Sequence, residues 1–101
     1  MYAIAIVRYR RPLEEVLTVV DEHRAYLRDL HDKGLLLATG PFNPRSGGAM
    51  ILRVGDAGAN EALDAIRDGD PYVIRGIAQY EMWPWEPVIG KEALDRITCS
   101  A

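Results

Sequence analysis

Leu35-Leu36-Leu37-Ala38-Thr39-Gly40-Pro41-Phe42, then Asn43-Pro44-Arg45-Ser46-Gly47-Gly48, then Ala49-Met50-Ile51-Leu52-Arg53-Val54, sets two strand-length apolar runs around a loop of proline and glycine. The pair reads as an antiparallel hairpin with a six-residue connection, because proline cannot continue a strand ladder and glycine supplies the turn. What flanks this hairpin decides the fold. On its N-terminal side, Leu13, Val16, Leu17, Val20, Leu27 and Leu30 recur at helical spacing. Pro12 stands where a first helical residue tolerates a missing N–H, Glu14 and Glu15 follow in the first turn, and Lys33-Gly34 closes the last. One continuous amphipathic helix from residue 12 or 13 to about 33 is expected. Before it, residues 2 to 8 have the content of a strand, with Ile4, Ile6 and Val7.

On the C-terminal side, Gly55-Asp56-Ala57-Gly58 punctuates the chain, and Ala62, Leu63 and Ile66 mark a short helix with Asp56 as a candidate cap. Asp68-Gly69-Asp70-Pro71 is a turn signal. A last strand is expected from Ile74 to Met82, ended or placed at a sheet edge by Pro84. The order is βαββαβ. This is the ferredoxin-like α+β class, a four-stranded antiparallel sheet with two helices on one face. A sheet with an apolar uncovered face calls for a partner, and a homodimer closing two sheets on each other is the economical arrangement. Residues 91 to 101 can add a terminal helix through Ala93, Leu94 and Ile97.

With 101 residues and 49% hydrophobic content, the chain has material for one core and one domain. A net charge of −3 offers no basic field to nucleic acid or an anionic membrane. Its apolar runs fall far short of the ~20 residues that cross a bilayer. The first residues carry no secretory pattern, so the expected compartment is the cytoplasm. Cys99 is the only cysteine and cannot form an internal disulfide. There is no phosphate-binding glycine loop with a lysine, no His-x-x-x-His and no Gly-x-Ser-x-Gly, so neither cofactor nor metal is expected.

Two histidines fall on the apolar side of the long helix. At 100° per residue, His23 lies about 60° from Val20 and His31 about 20° from it. His31 is in the last turn, where an imidazole meets free carbonyls and the negative end of the dipole, and that role accounts for it. His23 is mid-helix, where capping offers no explanation; it is either a core histidine satisfied by a carbonyl or a functional group. Asp70 before Pro71 has a plain reading as a turn initiator. Its chemical reading is a carboxylate bonded to one ring nitrogen of His23, which fixes the tautomer and prepares the other nitrogen to move a proton. Such a pair suits isomerisation, elimination or hydrolysis of a small activated substrate. Gly40, Pro41 and Gly48 let backbone approach a ligand, with Arg45 and Ser46 as anion or hydroxyl contacts; the plainer reading is a hairpin turn. Tyr26, one turn from His23, either lines the pocket or packs. Trp83-Pro84-Trp85 stiffens the end of the last strand and offers interface area.

The ordered blocks His23-Arg24-Ala25-Tyr26-Leu27, His31-Asp32-Lys33-Gly34, Leu36-Leu37-Ala38-Thr39-Gly40-Pro41, Gly47-Gly48 and Asp70-Pro71-Tyr72-Val73 resemble the YCII-like (YciI) family. The resemblance covers residues 2 to 87 and leaves 88 to 101 as a C-terminal extension of a single domain, 1 to 101. It implies a ferredoxin-like domain that dimerises into an α+β barrel. It also implies a site built on a helix-borne histidine and the aspartate of an Asp-Pro motif, here His23 and Asp70. One branch of the family looks like a dehydrochlorinase of a chlorinated hydroxyhydroquinone, and the barrel is similar to that of muconolactone isomerases. The compact Pro44-Arg45-Ser46 loop departs from relatives that carry a longer insertion there.

Three functions compete. In the first, the chain is a small cytoplasmic lyase- or isomerase-like enzyme acting on a phenolic or lactone-like metabolite, with His23 as acid or base and Asp70 orienting it. In the second, the same pocket belongs to a non-catalytic binding or accessory dimer. In the third, His23 and Asp70 are each satisfied locally and never touch.

Overall fold

A computed structural model describes residues 1–97; Cys99 and the end of the helix expected over 91 to 101 lie outside the described residues. The elements are β1 (Tyr2–Tyr9), α1 (Leu13–Leu17), α2 (Val20–Asp32), β2 (Leu36–Pro41), β3 (Gly47–Arg53), α3 (Ala59–Gly69), α4 (Pro71–Ile74), β4 (Ala78–Trp85) and α5 (Lys91–Asp95). The hairpin forms, but its connection is shorter than six residues because Gly47 and Gly48 already belong to β3. Both positions demand glycine. A Cβ on Gly47 would lie 1.9 Å from the Val7 carbonyl oxygen, and one on Gly48 would lie 2.6 Å from that of Gly40. The backbones of β1, β3 and β2 therefore converge beside the loop.

The four strands form one antiparallel sheet in the order β2-β3-β1-β4. Its inner face carries Ala3, Ala5, Val7, Met50, Leu52 and Ala78, and the helices lay Val16, Leu27, Leu30, Leu63 and Ile66 on it, all buried. Each large aliphatic side chain so covered contributes about 1.5–3 kcal/mol. This is the ferredoxin-like α+β architecture, with α1 to α4 on one side.

Local chemistry moves several boundaries. The long N-terminal helix is two helices, because the β-branched run Thr18-Val19-Val20 disfavours a regular turn and the Thr18 hydroxyl donates to the Glu15 carbonyl at 2.6 Å. The N-cap of α3 is Gly58, not Asp56, whose carboxylate instead accepts from the Met1 amino group at 2.8 Å. Residues 71 to 74 form a helical turn, so Ile74 ends a helix rather than starting the last strand, which begins at Ala78. Pro71 at N1 and the Asp70 cap favour one turn, and Gly76 at φ 67° releases the chain into β4. Pro84 lies within β4 opposite Ala3, on a sheet edge.

The outer face is not wholly bare. Tyr2 and Arg53, opposite each other in the ladder, reach α5 and the residues after it: the Tyr2 hydroxyl donates to Asp95, and Arg53 donates to the carbonyls of Leu94 and Ile97. Beside that end comes an apolar row, Ala38, Ile51, Ile4 and Trp83, across all four strands, with Trp83 57% exposed, and past it the face turns polar where Arg8 pairs with Glu81 at 3.8 Å.

Candidate active site

The break after α1 frees α2 to run along the inner face and carry His23 over β1 and β3. From the opposite direction, the turn before α4 delivers Asp70. Its side chain caps α4 by accepting the Tyr72 N–H on Oδ1 at 2.9 Å, and the same Oδ1 accepts from His23 Nδ1 at 2.8 Å. The plain and the chemical readings of Asp70 are thus both satisfied by one carboxylate. Oδ2 accepts from the Tyr80 hydroxyl. Asp70 is completely buried, and among the described residues its one ion-pair partner is His23. Three donors satisfy it, none of them a permanent cation.

Tyr72 closes the other side. Its ring stacks on the His23 imidazole with centroids 3.7 Å apart and planes 6° from parallel, and Tyr9 meets Tyr72 edge-on at 6.0 Å. Burial, then the neighbouring Tyr9, pushes the Tyr72 phenol up to about 12. Tyr80 is pushed up further, by burial and by the Asp70 charge, so it stays a hydroxyl donor. The Tyr9 hydroxyl accepts from Arg45 Nε at 3.3 Å, which brings that guanidinium to the same cluster.

Beside His23 lies a cavity of about 190 Å³. The imidazole is 12% exposed, and with Nδ1 committed to Asp70 the atom left for the cavity is Nε2. Gly40, Pro41, Arg45 and Gly48 line the cavity, and Asp70 sits behind the ring. Ser46 and Tyr26 are not among its walls. Ser46 is exposed and lends its carbonyl to Tyr9 N–H. The Tyr26 hydroxyl donates to the Ile66 carbonyl at 2.6 Å, against Gly69, where a Cβ would come within 2.7 Å of it. It ties α2 to α3. His31 Nδ1 meets the Leu36 carbonyl at 2.8 Å.

Tyr9, Tyr72, Tyr80 and Arg24 complete the surroundings, and sequence patterning passed over them. Alternation along β4 turns Tyr80 to the inner face, which was a usable signal; nothing local announces that Tyr72 would stack on His23.

An antiparallel sheet with helices on one side, and a histidine–carboxylate pair at the wall of an inner-face cavity, defines an α+β domain of ferredoxin-like type. The YCII-related domain model matches residues 1–86, and the chain belongs to that family. Among solved structures it is similar to the 5-chloro-2-hydroxyhydroquinone dehydrochlorinase of Burkholderia phenoliruptrix in complex with 2,5-dihydroxybenzoquinone. That similarity has a TM-score of 0.70 and 19% identity, and covers 87% of this chain and 96% of that one. At that identity the likeness concerns the fold. No curated protein matches the chain. No helix among the described residues is long and apolar enough to cross a membrane.

Proposed function

We propose that this single-domain protein is a small cytoplasmic enzyme, lyase- or isomerase-like, in which His23 and Asp70 form an acid/base pair acting on a small phenolic or lactone-like metabolite. The observation that carries this reading is the 2.8 Å contact between His23 Nδ1 and a fully buried Asp70, with the imidazole at a cavity wall. A carboxylate can only accept here, so Nδ1 carries the hydrogen and Nε2 presents a lone pair. Nε2 takes a proton from substrate carbon or hydroxyl, and the imidazolium that forms has the Asp70 charge beside it. In an isomerisation the same proton returns to another atom. In an elimination the electron pair of the broken C–H bond forms a double bond and expels the leaving group as an anion. Arg45 stands ready for the oxyanion. The Phe42 N–H is already spent on the Gly47 carbonyl, so the guanidinium suits that role better than the loop backbone.

The dehydrochlorinase with the similar fold acts on a chlorinated hydroxyhydroquinone, and this adds support for a phenolic substrate. The outer row Ala38, Ile51, Ile4 and Trp83 would be covered by a second copy, closing the barrel. Incubation with a panel of hydroquinones and hydroxylactones, followed by mass spectrometry, tests the reading. Compounds should be converted by the wild type and left intact by a folded His23→Ala. Retention without conversion by the wild type would favour a binding module instead. Light scattering of Ile51→Asp should report monomers where the wild type gives dimers.

A further inference from the structure

We infer that a second cavity, between α2 and the start of β2, holds the anionic group of the same small molecule on which His23 acts, so that the ligand is an organic acid, a carboxylate or phosphate ester. The inference takes from the proposed function only what His23 does to that molecule; the charge of the ligand is argued independently. This space is about 300 Å³, and Arg24, Arg28 and His31 line it together with Leu37. It adjoins the first cavity, because Arg24, Leu27 and Thr39 line both. The two together have the size of ordinary small-molecule sites, roughly 300–1,000 Å³.

The wall of this space is built by an irregularity in the sheet. The register of β2 against β3 shifts between Leu36 and Ala38, so Leu37 is an extra residue, and Leu36 and Leu37 are both buried although they are adjacent. A regular strand would send one of them to the other face. The bulge gives the cavity an apolar wall under a helix face that carries arginines.

Charge identifies the occupant. The chain has a net charge of −3, and α2 itself contains Asp21, Glu22, Asp29 and Asp32. Glu22 pairs with Arg75 and Asp29 with Lys33. Among the described residues Arg24 and Arg28 have no carboxylate within ion-pair distance. Yet Asp21 precedes Arg24 by three residues and Asp32 follows Arg28 by four, spacings at which helical side chains meet. Arg24 and Arg28 are themselves four apart, where like charges repel. An oxyanion between them removes that repulsion and matches guanidinium geometry. Among the described residues no carboxylate side chain lines either cavity, whereas Arg24, Arg28 and Arg45 do. The carbon skeleton would lie along Leu27 and reach His23.

The test is an NMR titration of the intact protein at constant ionic strength with benzoate, phenyl phosphate and neutral benzamide, following the Arg side-chain Nε–H and histidine ring signals. At least one of the two anions should shift Arg28 and His31 saturably and bind at least tenfold more tightly than benzamide; the tighter anion names the oxyanion. Arg28→Gln should weaken that anion about tenfold. Arg96→Gln, which removes the same charge outside both cavities, should leave it unchanged. Equal binding of benzamide, equal weakening by Arg96→Gln, or no movement of Arg28 and His31 would overturn the inference. His23→Ala should retain anion binding, so a failure of the proposed chemistry and a failure of this site are separately visible.

Discussion

His23 and His31 ride on the same helix and each brings Nδ1 to 2.8 Å from an oxygen, although His23 is largely buried and His31 is exposed. The oxygens differ. His23 meets a carboxylate that is fully buried, and His31 meets the backbone carbonyl of Leu36. A carbonyl orients a ring and satisfies its hydrogen. A carboxylate does that and also carries the charge that offsets an imidazolium as it forms. Helical phase therefore places a ring, while the acceptor opposite decides whether it can move protons.

The strongest way to break this contrast is catalytic. Removing a positioned acid/base group typically costs roughly 10²–10⁴-fold in rate. His23→Ala should lose turnover on that scale with unchanged circular dichroism, and His31→Ala should lose no more than a few-fold; equal losses would erase the distinction. Next comes stability at the carboxylate. Asp70→Ala strips the acceptor from His23, the Tyr72 N–H and Tyr80 together, and urea unfolding should show a loss of about 3–5 kcal/mol, as for other broken buried pairs. Tyr80→Phe removes a single donor from the buried charge and should cost about 1.5–3 kcal/mol in the same measurement.

A smaller effect appears only in alkali. The phenols of Tyr72 and Tyr80 sit above their ordinary value of 10.0 in the folded chain, Tyr72 at about 12. A raised phenol means that stability is complete below pH 10 and falls as pH climbs toward 12, because the unfolded chain ionises first. Chemical unfolding across that window, followed with tyrosinate absorbance, should show stability declining before these two rings ionise. The least change belongs to His31→Gln, which alters the hydrogen bond to the Leu36 carbonyl near the surface and should cost about 0.5–1.5 kcal/mol by thermal unfolding.

The order βαββαβ was legible because period-2 and period-3.6 patterns alternate cleanly and proline and glycine mark the joints. Boundaries slipped where a local hydrogen bond outweighed the pattern. Thr18 turned its hydroxyl onto Glu15 and divided a helix that apolar spacing would have continued. Asp70 and Pro71 wound a turn of helix that took in Ile74, where the last strand was expected to begin. At the site, His23 and Asp70 were visible as an oddly placed histidine and an Asp-Pro turn. Tyr26 and Ser46 looked equally eligible, and only their hydrogen bonds to Ile66 and near the Tyr9 backbone separate them from the cavity.

The amino-acid sequence alone determined the class of fold, the strand pairing around the central hairpin and the helical phase of the two histidines. These follow from local sterics and periodicity, which act over a few residues. Tertiary structure alone decided that Asp70 meets His23 across 47 positions, that Tyr72 stacks on that ring while Tyr80 holds the other carboxylate oxygen, that Gly47 and Gly48 press on the carbonyls of Val7 and Gly40, and that, among the described residues, Arg24 and Arg28 stand without an acid. Such contacts depend on how helix and sheet pack in space, and distance along the chain carries no record of them.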